Sequence, residues 1–514
     1  MREMVYPRLL LQALEDRGDT VTFVEGELRE TLAVHADRSL RMAEAHRRHL
    51  GLASTDPFAI LAANSVRYIN AWHAAFLGGG IINPLNTRLA PAELAFILAD
   101  SGSKAIYVDA TFAPVIESIR HELPDLRHVI DIDSAAFDDM LASVEPVVPD
   151  EPEEDDLAVL MYTGGTTGRP KGVLHTQRSQ MFNVYRLGFM FELFRHPGVF
   201  LQCTPMFHAA GCLGTLGIPV SGGVDVVQKM FEPGAAIAAI EEHGVTILGL
   251  VPTMIQMMFD HPSFSPEKFA SVRTLGYGAA PMPAGLLRRI LDQLPHVDVL
   301  QTYGMTEASA VVTMLSPGDH EVGGPRLKSA GRAVAGVRMR IVDPDDNPVP
   351  RGTAGEVCAM SGSFMVGYHN RPEETAKALK GGWYHTGDVG YMDDEGYLFL
   401  VDRAKDMIVT GAENVYSTEV ENVLSTHPAV AQVAVIGIPS EKWGEQVHAI
   451  VVVRPDHTVT AEELIAHCRT ELAGYKVPKS VELRDTPLPL SGAMKILKRE
   501  LRAPYWAGHD RMIG

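Results

Sequence analysis

An alternation constrains this fold more than any single motif. Over much of the first 400 residues, short apolar runs alternate with segments of helical pattern. FAILAAN at 58–64 reads as a buried strand, the segment around Tyr68–Leu77 as a helix stopped by Gly78, Gly79 and Gly80, and IIN at 81–83 as a further strand. A helix opened by Pro91 runs through PAELAFILADSG and leads to the strand KAIYVDA at 104–110. Proline suits a first helical turn, where its missing N–H would have no partner anyway, and glycine suits the residue just past the end. Strands joined by helices of this length form parallel sheets covered on their faces, because a parallel connection must cross back over the sheet. The expected fold class is mixed α/β, with a large N-terminal domain of helix-covered sheets.

The pattern changes near residue 402. Asp393, Asp394, Glu395 and Gly396 form an acidic turn, YLFLV follows as a strand, and DRAKD is then abruptly charged. Farther on, Thr418 with Glu421 is spaced as a capping box, and AQVAVIGI (431–438) and HAIVVV (448–453) read as strands. Thr460 with Glu463 would cap a helix ending at Gly474, and KSVELRD (479–485) reads as another strand. These elements predict a small α+β domain at 402–514 behind a large domain at 1–401. A chain of 514 residues is in any case too long for one ordinary core. The acidic stretch Pro149–Asp156 reads as an exposed connector within the large domain, with a domain boundary as the alternative.

Composition limits the partners. The formal net charge is −19, which disfavours a nucleic-acid backbone yet leaves room for a small anion held by a local positive site. Cys203, Cys212, Cys358 and Cys468 have neither metal-ligand nor redox spacing, and free thiols fit a reducing compartment. The start, MREMVYPRLLLQALEDRGD, lacks a signal-peptide apolar core, and no run reaches the ~18–20 apolar residues of a membrane span. A cytoplasmic protein without a membrane span is expected.

The densest chemistry lies in Y-T-G-G-T-T-G-R-P-K-G, from Tyr162 to Gly172. A polyphosphate needs many donors close to the main chain. Gly164, Gly165 and Gly168 let the backbone approach, Thr163, Thr166 and Thr167 add hydroxyls, and Lys171 adds a full charge. The apolar LAVLMY in front reads as a strand, so the loop leaves a strand end. Lys171 is followed by Gly172 rather than Ser or Thr, so this is not a Walker loop. Polyphosphate binding is the reading of these residues; the alternative is a flexible hairpin linker.

This loop resembles the signature of the adenylate-forming enzymes, which include acyl-CoA and aryl-CoA ligases, luciferases and peptide-synthetase adenylation domains. The resemblance continues in order over nearly the whole chain, from Asn64-Ser65 and Pro84-Leu85-Asn86 to Lys495. It implies ATP and Mg²⁺, with coenzyme A as co-substrate and a small carboxylic acid as the molecule activated. Gly278, Ala279, Ala280 and Pro281 then match the segment along the adenine; by themselves they read equally as a turn. Tyr303, Gly304, Met305, Thr306 and Glu307 match a nucleotide and metal motif, with Tyr303 stacking on adenine, Thr306 near phosphate, and Glu307 with Thr163 on Mg²⁺. Asp388 and Arg403 match the ribose and phosphate contacts.

Lys405 matches the hinge, Gly411 and Ala412 the coenzyme A tunnel, and Lys495 the catalytic lysine of the small domain. His208 matches a position near the reacting carboxylate; a buried structural histidine is the alternative. The methionines of PTMIQMMF (252–259) read as helix core, with an acyl pocket as the alternative. Two positions depart from the family pattern: Gly164, where Ser or Thr is common, and Met494, where the residue before the lysine is usually Gly.

The implied activity is that of an ATP-dependent acyl-CoA ligase for a medium- or long-chain or other apolar acid. A ligase that loads a carrier protein, a luciferase-like oxygenase and a catalytically silent nucleotide-binding homologue stay open as alternatives, as does a homodimer.

Overall fold

The computed structural model describes residues 3–148, 152–163, 170–209, 211, 213–280, 282–320, 324–403, 408–410, 413–440, 443–492 and 494–507. Two large sheets dominate the N-terminal part. The first orders its strands Gly367–Tyr368, Lys171–Thr176, Leu157–Thr163, Ile81–Pro84, Pro57–Leu61, Ala105–Val108 and His128–Asp131. The last five of these run parallel, as the strand–helix alternation implies, and the first two close one edge antiparallel.

The second sheet has nine strands. Six parallel ones, Val21–Glu25, Val224–Val227, Val199–Gln202, Ile247–Leu250, Thr274–Gly278 and Asp298–Tyr303, are flanked by antiparallel edges. One apolar cluster joins both sheets. It contains Phe58, Ile82 and Tyr107 from the first, Phe23 and Val227 from the second, and Trp72, Met181 and Leu216 from helices Val66–Ala74, Gln177–Met190 and Leu213–Ser221. Burying both faces of parallel strands requires this arrangement, because neither face is polar.

Two sheets depart from the parallel scheme. Arg338–Val342, Gly355–Met360, Tyr384–Met392 and Leu398–Arg403 form an antiparallel sheet that the strand–helix alternation does not announce. Beyond it, Val430–Ser440 and Gly444–Val453 pair antiparallel, and Ser480–Arg484 adds parallel to the latter. Helices Ser417–Ser425 and Ala461–Glu471 pack there around a separate core that includes Ile408, Leu424, Val435, Val451 and Leu464.

Most predicted elements recur with shifted ends. The helix opened by Pro91 spans Pro91–Ser101, and the Thr460/Glu463 capping box forms at Ala461–Glu471. The Thr418/Glu421 capping box does not form. The helix begins one residue earlier at Ser417, Thr418 donates its hydroxyl to the Val401 carbonyl, and Glu421 accepts from Val435 N–H and pairs with Lys498. Of the methionines in PTMIQMMF (252–259), Met254 and Met258 are buried in the core and Met257 is exposed. No helix among the described residues is long and apolar enough to cross a membrane. Among the described residues Cys203, Cys358 and Cys468 are free and buried.

Candidate active site

Thr163 and Lys171 face each other as the last antiparallel pair of strands Leu157–Thr163 and Lys171–Thr176. The Thr/Gly-rich segment therefore leaves a strand end, as its sequence predicts. Gly164, Gly165, Thr166, Thr167 and Gly168 lie outside the described residues. The Lys171 ammonium pairs with Glu374 and sits 5.3 Å from the centroid of the Tyr368 ring. Tyr368 belongs to Gly367–Tyr368, which is hydrogen-bonded to the same strand as Lys171, and its hydroxyl donates to Oε1 of Glu307 at 3.0 Å. Two contacts thus connect the base of the loop with the acid predicted to bind metal.

Glu307 is held by its backbone. It lies in the short 3₁₀ turn Thr306–Ala308, directly after strand Asp298–Tyr303, and its carbonyl accepts from Met365 N–H at 2.8 Å. The Thr306 carbonyl is hydrogen-bonded by Nε2 of His175 at 2.8 Å. Burial pushes His175 down to about 4, so the ring is neutral and donates from that nitrogen. Burial, and then the charge of Glu307, push the phenols of Tyr368 and Tyr384 up. Both remain protonated, so the Tyr368 O–H donates to the Glu307 carboxylate and neither phenol adds negative charge beside it.

The nucleoside side is built from neighbouring strand ends. Gly278 and Thr302 are register partners, which brings Gly278, Ala279 and Ala280 alongside Tyr303 and Gly304. A Cβ on Gly304 would lie 1.9 Å from the Ala310 carbonyl oxygen, so only glycine fits there. Met305 caps the 3₁₀ turn with extended backbone and packs partly buried beside Tyr303. The Tyr303 hydroxyl donates to Oδ2 of Asp388 at 2.6 Å, and Asp388 is the register partner of Arg403 across two antiparallel strands. The two predicted ribose contacts are thus adjacent in one sheet. Pro281, Lys405, Gly411 and Ala412 lie outside the described residues, as does the Arg403 side chain.

Lys495 arrives on a tight turn. Ser491 N–H donates to the Lys495 carbonyl at 2.7 Å, and Lys495 N–H donates back to Ser491 Oγ at 3.2 Å. The turn is seated on N-terminal residues: Arg88 Nη1 donates to the Ser491 carbonyl at 3.0 Å and Thr253 Oγ1 to the Met494 carbonyl at 2.8 Å. His208 lies beside it and hydrogen-bonds the Gly492 backbone. Burial, and then the positive charges of Lys495 and Arg88, push the His208 imidazole down to about 3. Its Nε2 is buried without a hydrogen-bond partner among the described residues. A neutral ring beside a lysine can take up or orient a polar group without adding cationic charge. Ala209, next to His208, and Thr306, next to Glu307, line one small cavity together with Trp72, Met161 and Asn183.

Arg88, Thr253 and Tyr368 escape a motif reading. Arg88 stands two residues after Asn86 and so carries a faint signal, but Thr253 and Tyr368 are recognisable only through their spatial partners.

The description AMP-binding enzyme matches residues 11–369, and AMP-binding enzyme C-terminal domain matches 419–495. The chain belongs to the AMP-binding enzyme family. Its relatives are adenylate-forming ligases that make acyl-CoA or load acyl groups on carriers. A feruloyl-CoA synthase of Amycolatopsis sp is 38% identical over 482 residues, covering 92% of this chain and 94% of that one. A fatty acid–[acyl-carrier-protein] ligase, ScoC, of Streptomyces coeruleorubidus is 34% identical over 472 residues, covering 90% and 89%. Among solved structures, ATP-bound MatB from Rhodopseudomonas palustris superposes with a TM-score of 0.89 at 27% identity, covering 98% of this chain and 99% of that one. Membership of this acyl-CoA ligase family implies the use of ATP and coenzyme A.

Proposed function

We propose that this enzyme is an AMP-forming acyl-CoA ligase, with coenzyme A rather than a carrier protein as acceptor and a medium- or long-chain or other apolar acid as substrate. The observation that carries the reading is the seating of the Lys495 turn on Arg88 and Thr253, beside His208. That placement suits the first half-reaction.

In that step a carboxylate oxygen of the acid attacks the α-phosphorus of ATP. A C–O–P linkage forms, the bond from the α-phosphorus to the bridging oxygen breaks, and pyrophosphate leaves. Thr163 and Lys171 at the loop base, and the ammonium of Lys495, balance the charge that spreads over the phosphate oxygens. Tyr303 and Asp388 orient the nucleoside. The donors Glu307 and Thr163 fit Mg²⁺, which favours hard oxygen ligands, and the Tyr368 hydroxyl holds the Glu307 carboxylate in one orientation. When bound there, the ion supplies charge neutralisation for the phosphates.

In the second step the coenzyme A sulfur attacks the acyl carbon, the thiol proton is released, and AMP departs with the anhydride oxygen. The domain 402–514 rotates about Lys405 between the steps, withdrawing Lys495 and bringing Gly411 and Ala412 to the thiol path. An apolar acid is favoured because the segments expected near the acyl pocket are apolar and carry no obvious carboxylate partner. The buried free thiols favour a cytoplasmic setting.

The test is acid-dependent pyrophosphate release with ATP over a panel of fatty and aromatic acids. Coenzyme A and an acyl carrier protein are then offered in turn as acceptors. Thioester on coenzyme A alone supports the proposal. Thioester on the carrier alone turns it into a carrier-loading ligase, and ATP binding with no acid-dependent pyrophosphate would mark a silent homologue.

A further inference from the structure

One side chain of the lysine turn crosses into the N-terminal core. Met494 is 8% exposed and belongs to an apolar cluster whose other buried members all lie between Val24 and Val299, among them Leu250, Val251 and Met254. Its Sδ accepts from Arg88 Nη2 at 3.3 Å, and its carbonyl accepts from Thr253. Its backbone has φ +60°, in the left-handed region that side chains other than glycine's rarely occupy. Two residues earlier, a Cβ on Gly492 would come within 2.5 Å of Asn86, so the turn approaches the N-terminal surface at backbone distance. A side chain kept in a strained conformation needs a compensating contact, and burial in the facing core supplies one.

We infer that Met494 is a positioning residue, an apolar plug that holds the Lys495 turn against the N-terminal domain while the acyl-adenylate forms. The inference rests on the reading above that Lys495 serves the first half-reaction. Glycine at this position would relax the backbone and provide no anchor. Methionine does the reverse, favouring the seated state and resisting its release. The plug should therefore speed adenylation and contribute nothing to thioester formation from preformed acyl-adenylate.

The test compares Met494→Ala, which keeps the strain and loses the plug, Met494→Gly, which loses both, and Met494→Leu, which keeps apolar bulk. Acid-dependent pyrophosphate release should fall at least about tenfold in Met494→Ala and by a smaller factor in Met494→Gly, with recovery to within about threefold of the parent in Met494→Leu. Thioester formation from supplied acyl-AMP and coenzyme A should hold or rise. Hydrogen exchange at 491–495 without substrates should be protected in the parent and released in the Ala and Gly variants. Parallel loss of both half-reactions, or unchanged exchange in Met494→Ala, would overturn the plug. The exchange readout does not depend on turnover. Released exchange combined with unimpaired adenylation in Lys495→Ala would leave the plug standing and remove only the assigned role of Lys495.

Discussion

Tyr303 and Asp388 are joined by a 2.6 Å hydrogen bond from the phenol to Oδ2, although 85 residues separate them in sequence. One stands at the end of a strand of the nine-stranded sheet and the other in the antiparallel sheet. The bond ties the ring expected to stack on adenine to the carboxylate expected to bind ribose.

Tyr303→Phe keeps the ring and removes only this bond. The KM for ATP should rise by about three- to tenfold with kcat little changed, whereas Asp388→Ala should lower kcat/KM for ATP by about 10²-fold, the scale of hydrogen bonds to a charged group. Steady-state kinetics at saturating acid would check both, and equal effects of the two substitutions would contradict separate ring and carboxylate roles.

Lys495→Ala should lower pyrophosphate release by about 10²–10³-fold, the cost of removing one charge-stabilising donor from a transition state. Thioester formation from supplied acyl-AMP should stay near that of the parent. Equal loss in the two assays would end the proposed division of labour.

Glu307→Gln preserves shape and an acceptor for the Tyr368 hydroxyl while removing the charge. Adenylation should need several-fold more Mg²⁺ for half-maximal rate, read from a magnesium titration at fixed ATP. An unchanged magnesium curve would count against Glu307 as the metal acid.

Asp225 is fully buried between its register partners Phe23 and Phe200, and neither of its oxygens has a hydrogen-bond partner among the described residues. Burial pushes its carboxyl up to about 8 from 3.8. Between these values the folded chain binds one more proton than the unfolded chain, so stability from this group is fully present below 3.8 and falls as pH rises toward 8. Asp225→Asn should therefore gain stability over the parent by about 1.4 kcal/mol per pH unit across that window. Urea unfolding of both proteins at several pH values would show it, and parallel pH profiles would refute it.

The strand–helix alternation was legible because parallel strands buried on both faces must be continuously apolar and must be separated by crossovers. Pro91 marked a helix start for local steric reasons, and Thr460 with Glu463 marked another through two side chain–backbone hydrogen bonds. Thr418 carried the same local signal and misled. Its hydroxyl found the Val401 carbonyl and Glu421 found Lys498, partners that lie outside any four-residue window. Of the antiparallel sheet at 338–403, only the acidic turn at 393–396 and the strand after it were legible; its other strands were hidden, since short strands joined by turns leave no helical period to count.

By itself, the sequence determined the fold class, the strand end that carries the Thr/Gly loop, and the residue types able to meet phosphate, metal and ribose. Those follow from local rules: periodicity, backbone freedom at glycine, and the charge of a side chain. Tertiary structure alone decided which of these groups meet. It placed the Tyr368 hydroxyl on Glu307, Tyr303 on Asp388, and Arg88 and Thr253 under the Lys495 turn. It also gave Met494 a place, since a residue that locally disfavours its backbone conformation is accounted for only by the core it enters more than 190 residues away in sequence. A contact between distant segments is a property of how sheets and domains pack, and no local pattern encodes it.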